Sequence, residues 1–206
     1  MAPPRIRRIA FLAYPRLTLL DLVGPYDALR RVARMDIDPA VTHAIIGVGT
    51  QDGPLVSDDS GLAIRVDAMY APLDDFDLLV VPGGFGSRPL MHEPHVLDYL
   101  RSWGKERPIA SVCTGSLLLG ASGHLEGLPA TTHHSAFDDL RPYVTEVRDE
   151  RVVDAGRVIT AGGVCAGIDL GLHLVARFWG DAARARIARQ MNHAAPAAPG
   201  GQGAAS

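Results

Sequence analysis

The sequence feature that most constrains the fold is the stretch 109–120, IASVCTGSLLLG, where an apolar run typical of a buried strand passes directly into a helical pattern. The junction falls at Cys113. A sharp strand-to-helix turn places that thiol at a helix N-terminus, where unpaired N–H groups and the helix dipole favour a thiolate. The Gly-x-Ser-x-Gly elbow has the same geometry. The stretch therefore predicts a nucleophile elbow, although a cysteine can also serve only as a small core residue.

Apolar runs of strand length alternate with helical patterns along most of the chain. Short continuous apolar runs predict buried strands, because a strand covered on both faces shows no alternation. We expect strands at 6–14, 41–48, 77–84 and 109–112, a small hairpin between 48 and 70, and a strand pair near 144–153 and 157–160. We expect helices at 25–34, 95–105, 115–121, 135–140, 167–179 and 181–191, the last capped by Asp181. This alternation predicts an α/β fold with a mostly parallel sheet and helices on both faces.

Composition limits the number of domains and the partners. The 206 residues suffice for a single domain over 5–193, followed by an Ala/Gly/Pro tail at 194–206 that we expect to be disordered. A formal net charge of −3 gives no basic excess that would attract nucleic acid or anionic lipid. No apolar run reaches the ~18 residues of a membrane span, and no signal-peptide pattern is visible. We therefore expect a cytoplasmic protein without nucleic-acid or membrane partners.

The cysteines and histidines indicate neither a disulfide framework nor a metal site. Cys113 and Cys165 are expected to be free thiols, because a lone bridge is unusual in a domain of this size without a secretion signal. Gly163, Val164 and Ala166 around Cys165 indicate packing among small residues. The eight histidines lack metal-ligand spacing, so we expect no metal, and no residue calls for an organic cofactor.

The candidate catalytic residues lie where neighbouring strands should end. In an open α/β sheet, reacting groups gather at the carboxyl ends of the strands. This rule brings together Asp21, the pair Gly83-Gly84 and Cys113. Asp21 lies among apolar residues, where it serves either as the N-cap of the next helix or as a carboxyl group that exchanges protons beside the thiol.

The remaining candidates would line the pocket. Gly84 and Thr114 could each present a backbone N–H to charge developing on a bound atom, as in an oxyanion hole, although Gly83 and Gly84 can also form a simple turn. His133 follows a polar segment and could flank the pocket, either as a base or as a surface histidine. The sequence therefore predicts a site of Cys113, Asp21 and Thr114 bordered by Gly83, Gly84 and His133.

Five motifs in this order resemble one known family: DLVGP from Asp21, VPGG from Val81, SVCTGS from Ser111, ATTH from Ala130 and TAGGVCAGID from Thr160. They are similar to those of the ThiJ/PfpI (class I glutamine-amidotransferase-like) superfamily, and within it to the isocyanide hydratase branch. The resemblance spans about residues 5–190. It implies a flavodoxin-like sandwich, usually a homodimer, and a lyase that needs no cofactor.

The resemblance also implies a mechanism. The thiolate at the position of Cys113 attacks the terminal carbon of an isocyanide, and water releases an N-substituted formamide from the thioimidate. The acid at the position of Asp21 exchanges protons, and the threonine at the position of Thr114 assists. Asp21, rather than the glutamate of many superfamily members, points away from the protease-like and deglycase-like branches. After ATTH this chain has His134, where an aromatic residue such as tryptophan is usual in this branch. The resemblance therefore does not determine the shape of the substrate pocket.

Two other functions share the same motifs. AraC-type regulators carry such a domain as a sensor, followed by a helix-turn-helix pair; the sequence given ends about 15 residues after the last expected helix, so we do not expect one here. A sensor with a reactive thiol and a glyoxalase-like or amidase-like hydrolase remain the alternatives to an isocyanide hydratase.

Overall fold

A computed structural model describes residues 4–49 and 53–193 of the chain. The strands are β1 (Arg8–Ala13), β2 (Thr42–Gly47), β3 (Leu55–Ser57), β4 (Ala63–Arg65), β5 (Ala68–Met69), β6 (Leu78–Val81), β7 (Ile109–Val112), β8 (Pro129–Ala130), β9 (Glu146–Val147), β10 (Val152–Asp154) and β11 (Val158–Ala161). The α-helices are α1 (Leu19–Leu29), α2 (Arg31–Arg34), α3 (Ser87–Leu90), α4 (Pro94–Arg101), α5 (Gly115–Ala121), α6 (Phe137–Leu140), α7 (Ala166–Trp179) and α8 (Asp181–Gln190). Short 3₁₀ helices cover Leu73–Asp75, His134–Ala136 and Arg141–Tyr143.

The central sheet has seven strands in the order β10-β11-β7-β6-β1-β2-β5, and all neighbouring pairs are parallel except β10 with β11. Helices surround the sheet, which confirms the flavodoxin-like α/β prediction. After β1 the chain goes to β2 on one side, and it later returns to β6 on the other. Ligand sites of open α/β sheets lie at such a reversal of strand order. The carboxyl ends of β1, β6 and β7 therefore mark the place to look for the site.

Continuous apolar runs predicted the buried strands correctly. Every residue of β6, β7 and β11 is buried, and only Arg8 of β1 is exposed. The hairpin expected before residue 70 is formed by β3 and β4, which pair antiparallel. The strands β1, β6, β7 and β11 are therefore packed on both faces, as in other parallel sheets, whereas Thr42 and His43 at the start of β2 are exposed.

The first helix begins earlier than expected. It runs Leu19–Leu29, with Pro25 inside it, and the next helix, Arg31–Arg34, is separate. We predicted a helix over 25–34, whereas the first helix begins at Leu19 and contains that proline. Asp21 consequently lies in the first turn of α1, so its predicted alternative role as N-cap was wrong; Thr18 occupies that position.

Helices α1 and α7 pack closely because glycines face each other. A Cβ added at Gly24 would lie 3.1 Å from the backbone nitrogen of Ile168, and one at Gly171 would lie 2.7 Å from the Ala28 Cβ. Neither position leaves room for a side chain without movement. The close contact fixes α1, and with it Asp21, against α7.

Three other expectations concerned the cap of the last helix, a membrane-spanning segment and the tail of the chain. Helix α8 has Gly180 rather than Asp181 at its N-cap, because the glycine adopts the non-helical conformation there. No helix in residues 4–49 or 53–193 combines the length and apolar character needed to cross a bilayer. The tail expected to be disordered, 194–206, lies outside the described residues, and the boundaries of the single domain stay a prediction.

Candidate active site

Cys113 occupies a strained elbow between β7 and α5. Its φ is +54°, a left-handed value that is costly for a residue with a Cβ. Hydrogen bonds hold the backbone there: the Cys113 N–H donates to the carbonyls of Ala161 and Gly162, both at 2.9 Å. The Cys113 carbonyl accepts from the Thr132 hydroxyl at 3.0 Å and the Ser116 hydroxyl at 3.1 Å. The strand-to-helix elbow expected from the sequence is therefore present and fixed from several sides.

Asp21 is fully buried beside this thiol. Its Oδ2 accepts a hydrogen bond from the Gly83 N–H at 3.1 Å. Its Oδ1 is also buried and has no hydrogen-bond partner within the described residues. A buried carboxylate oxygen without a partner is costly, and such groups concentrate where chemistry occurs.

The pKa values of Asp21 and Cys113 are both raised, and burial is the largest cause for each. Burial raises the pKa of Asp21 to about 7, against the opposing contributions of the Cys113 thiol and the Gly83 N–H. Burial, followed by the negative charge of Asp21, raises the pKa of Cys113 to about 12. Because the two groups interact, their protons belong to the pair. Between the two pKa values the pair retains one proton and carries one negative charge.

This result corrects the sequence-based argument for a thiolate favoured by the helix N-terminus. The Thr114 N–H does lower the pKa of Cys113, but burial and the charge of Asp21 outweigh it. The thiol is only 6% exposed. Local sequence reveals the elbow, whereas the depth of burial and the facing carboxyl depend on the whole fold.

The glycine amides of the elbow are already engaged inside the protein. The Gly83 N–H donates to Asp21, and the Gly84 N–H donates to the Thr114 Oγ1 at 2.9 Å. The Thr114 hydroxyl in turn donates to the Gly84 carbonyl at 3.1 Å. The expectation of a free N–H at Gly84 for an oxyanion hole is therefore not met, because the neighbouring threonine hydroxyl accepts it. Thr114 instead ties the Gly84 turn to the elbow.

Tyr14 is a buried neighbour of the pair that the sequence analysis missed. Its hydroxyl donates to the Pro82 carbonyl at 2.6 Å. Burial raises the pKa of Tyr14 well above its usual value, and the charges of Asp21 and Cys113 raise it further. A tyrosine at the end of an apolar strand gives no signal of this position in the sequence.

A small cavity of about 190 Å³ opens onto Cys113. It is lined by Thr18, Gly84, Phe85, Arg88, Cys113, Thr114, His133, Ser135 and Val164. This volume lies below the roughly 300 Å³ at which drug-sized ligand pockets begin. The cavity therefore suits a small substrate, and it brings together the predicted residues Cys113, Thr114, Gly84 and His133. A larger cleft of about 820 Å³ between β10, α7 and α8 contains none of the predicted site residues.

His133 lines this cavity as a neutral ring. Its Nδ1 accepts a hydrogen bond from the Ser135 N–H at 3.2 Å. Because a backbone N–H can only donate, Nδ1 is unprotonated and the neutral ring carries its proton on Nε2. Burial, followed by the charges of His134 and Arg88, lowers the pKa of His133. The ring therefore offers a donor at Nε2, and its basic nitrogen faces Ser135.

The second cysteine differs from expectation in one respect. Both cysteines are unpaired, as expected. Cys165, however, is exposed at the N-cap of α7 rather than packed among small residues. Within the ranges that the structure covers, no group of three or more His, Cys, Asp or Glu side chains is arranged to hold a metal ion.

Comparisons with known proteins agree with this architecture. The chain is 37% identical to the isonitrile hydratase of Pseudomonas putida over 194 residues, which cover 93% of this chain and 80% of that protein. It is 29% identical to the HTH-type transcriptional regulator CdhR of Pseudomonas aeruginosa, and it spans only about half of that relative's length, 53%. The crystal structure of a ThiJ/PfpI family protein from Pseudomonas syringae superposes with a TM-score of 0.79 at 31% identity, covering 97% of this chain and 79% of that one.

A mostly parallel sheet with a cysteine at the elbow after β7 and a carboxyl group from the first helix defines an α/β protein of the ThiJ/PfpI type. The family model described as the DJ-1/PfpI family matches residues 7–177. The chain belongs to the DJ-1/PfpI family.

Proposed function

We propose that this protein is a lyase that hydrates an isocyanide to an N-substituted formamide, with Cys113 as the nucleophile and no cofactor. The relative at 37% identity is an isonitrile hydratase, and isonitrile is another name for isocyanide. The single observation that carries the mechanism is the buried pairing of the Asp21 carboxyl with the Cys113 thiol.

The first half of the reaction uses the proton that this pair shares. Transfer of the proton from Sγ to the Asp21 carboxylate creates a thiolate and a carboxylic acid without changing the net charge of the site. The thiolate forms a bond to the terminal carbon of the isocyanide, and that carbon takes the proton from Asp21. The product is a thioimidate on Cys113, so the sum of this half-reaction is addition of S–H to the carbon.

The second half releases the product. The Asp21 carboxylate accepts one proton from water as the water oxygen attacks the thioimidate carbon, and it passes that proton to the nitrogen. The resulting tetrahedral adduct carries a hydroxyl group. As the C–S bond breaks, the hydroxyl proton returns through Asp21 to Sγ, and the formamide leaves. One water is consumed for each isocyanide, and nothing is oxidised or reduced.

The engaged glycine amides favour this reaction over amide or ester hydrolysis. Hydrolysis develops negative charge on a carbonyl oxygen, which usually requires N–H donors aimed at that oxygen. Addition to an isocyanide develops charge on the terminal carbon, where a proton neutralises it. Gly83 and Gly84 already donate their N–H groups to Asp21 and Thr114, whereas Asp21 holds a transferable proton. The hydrolase alternative therefore has weaker support.

A sensor is the second candidate, because the chain is also similar to the regulator CdhR. An oxidant-sensing cysteine reacts as an accessible thiolate of low pKa. Cys113 is buried and its pKa is raised, which favours catalysis with a general base over unassisted oxidation.

The homodimer implied by the family stays a prediction for this chain. Leu20 and Val23 of α1 are exposed and border an apolar cavity with Ile168 and Met191. A second copy of the chain covering this surface would appear in sedimentation equilibrium as twice the 21.9 kDa mass of the chain. Cytoplasmic location likewise stays a prediction.

The decisive experiment compares the native protein with Cys113→Ala and Cys165→Ala on phenyl isocyanide. We expect the native protein and the Cys165 variant to form the formamide at the same rate, and the Cys113 variant to form none. Acid quenching during turnover should trap an adduct whose mass exceeds that of the native chain by the whole mass of the isocyanide. Formamide production by Cys113→Ala would contradict the proposal.

A further inference from the structure

The wall of the cavity above Cys113 carries one permanently charged side chain among its described residues, Arg88 of α3. The other wall residues are apolar or neutral, including Phe85, Val164 and the neutral His133. Asp21 lies behind the elbow, and no carboxylate lines the wall itself. The cavity therefore combines apolar surface with a single guanidinium.

The guanidinium of Arg88 has spare hydrogen-bonding capacity. Its nearest carboxylate is Asp139, whose Oδ2 lies 3.8 Å from Nη2, and the two side chains are 39% and 52% exposed. This separation exceeds a hydrogen bond, and exposed pairs of this kind contribute little. Within the described residues the Arg88 side chain donates no hydrogen bond, so its planar donors are available to a ligand.

The surroundings of Arg88 favour an anion. The charge of Arg88 is one of the causes, after burial, that lower the pKa of His133, so the guanidinium lies near that ring at the cavity wall. Arg16 is a second cation in the vicinity: its guanidinium lies 6.0 Å from the centroid of the wall residue Phe85, although Arg16 itself lines a neighbouring cavity. The Nε2–H of His133 provides a further neutral donor. An arginine with a free donor edge is the side chain best suited to bind a carboxylate by two parallel hydrogen bonds.

We propose that Arg88 is a specificity-determining residue that selects small isocyanides bearing a carboxylate, with the carboxylate bound by the guanidinium and the isocyanide carbon directed to Cys113. This inference rests on the proposed hydratase function. The cavity volume of about 190 Å³ limits the substrate to a short chain between the two groups. Arg88 takes no part in bond making, so the chemical steps are those already described.

The test uses ω-isocyano carboxylates with one, two or three methylenes and the methyl ester of each. The native protein should hydrate at least one acid with a kcat/KM at least about tenfold above that of its ester, the scale of one hydrogen bond to a charged group. Arg88→Gln should remove this preference mainly by raising the KM for the acid, so that the acid and its ester are hydrated with similar kcat/KM. Arg88→Lys should retain only part of the preference for the acid, because an ammonium group lacks the planar fork of donors of a guanidinium.

Arg16→Gln is the matched control, because it removes one nearby positive charge at a residue that does not line the cavity. It should keep the preference for the acid. If Arg16→Gln and Arg88→Gln lost the preference for the acid equally, general electrostatic attraction would explain that preference, and the proposal would be overturned. Hydration of the esters without preference for any acid would overturn the substrate class while the hydratase function stands. Hydration of phenyl isocyanide but of neither acids nor esters would overturn the substrate class alone, and hydration of none of the three would overturn both.

Discussion

The carboxyl of Asp21 and the thiol of Cys113 are buried as a pair that retains one proton between pH values of about 7 and about 12. Neither sequence motif contains both residues. Helix α1 brings the carboxyl group, and the elbow after β7 brings the thiol. In the proposed mechanism this pairing supplies a nucleophile and an acid from one proton, so the proton transfer and the attack on the isocyanide occur without moving net charge into an apolar site.

The pH dependence of hydration should follow this pair. Below pH 7 both groups are protonated, so a thiolate forms only by releasing a proton to solvent. We expect the logarithm of kcat/KM to rise by one for each pH unit up to about pH 7 and then to stay level. This parameter reports the ionisation of the free enzyme. Rates with phenyl isocyanide from pH 5 to 9.5 measure it. A flat profile across pH 7 would contradict the shared proton.

Asp21→Asn should remove the rise of kcat/KM below about pH 7. It should also lower the pKa of Cys113, because the negative charge that raises this pKa is lost. Iodoacetamide alkylation of the thiol as a function of pH measures the change, with Cys165→Ala as the background so that only Cys113 reacts. We expect hydration to fall by about 10²-fold or more, the usual contribution of a general acid–base. Alkylation profiles that coincide would show that Asp21 does not act on the thiol.

The same substitution should stabilise the fold at neutral pH. The pKa of Asp21 is about 7 in the folded protein and 3.8 without the fold, so the folded state holds the proton more tightly. Stability contributed by this proton is present below pH 3.8 and is lost as pH rises through 7. We expect Asp21→Asn to increase the free energy of unfolding above pH 7 by up to about 4 kcal/mol, and less at pH 5. Urea denaturation at both pH values measures it; a destabilised variant at pH 8 contradicts it.

Gly83→Ala should damage the site by crowding. An added Cβ would lie 2.5 Å from the Thr114 nitrogen, 2.8 Å from the Cys113 Cβ and 2.9 Å from the Asp21 Oδ2. We expect a loss of about 1–3 kcal/mol in unfolding free energy, together with most of the activity. Gly162→Ala is the control, because its Cβ would lie 3.6 Å from the Glu150 carbonyl oxygen, which is ordinary van der Waals contact. Equal behaviour of the two variants would argue against tight packing at Gly83.

Thr114→Val should leave the Gly84 N–H without its acceptor. A buried donor that loses its partner costs about 1–3 kcal/mol, so we expect this loss in urea denaturation and a slower hydration rate. Thr114→Ser retains the hydroxyl and should restore both measurements. Failure of the serine variant to do so would indicate that the methyl group, rather than the hydroxyl, holds the turn.

Much of the fold was predictable because local patterns determine it. Continuous apolar runs indicated the strands, and the turn at Cys113 indicated the elbow. The start of α1 was misplaced at Pro25, whereas the helix begins at Leu19 and contains that proline. Helix α1 packs against α7, which lies far away in sequence, and a local pattern does not show such a contact.

The electrostatics of the site were not predictable in the same way. The sequence identified Asp21 and Cys113, but burial reversed the expected acidity of the thiol. Tyr14 and Arg88 gained their positions beside the thiol and in the cavity wall through tertiary packing. A local motif specifies backbone shape, whereas a pKa depends on every group that the fold brings near.

The glycine contact between α1 and α7 has a consequence for how such an enzyme can diversify. It anchors Asp21, the proposed proton donor, to a helix pair, while the segments around Phe85, Arg88, His133 and Val164 form the cavity wall. Changes in those segments can alter which molecules fit without moving the acid or the thiol. Because the positions of Asp21 and Cys113 do not depend on the wall residues, substitutions in the wall can change the substrate range while the reactive pair is kept.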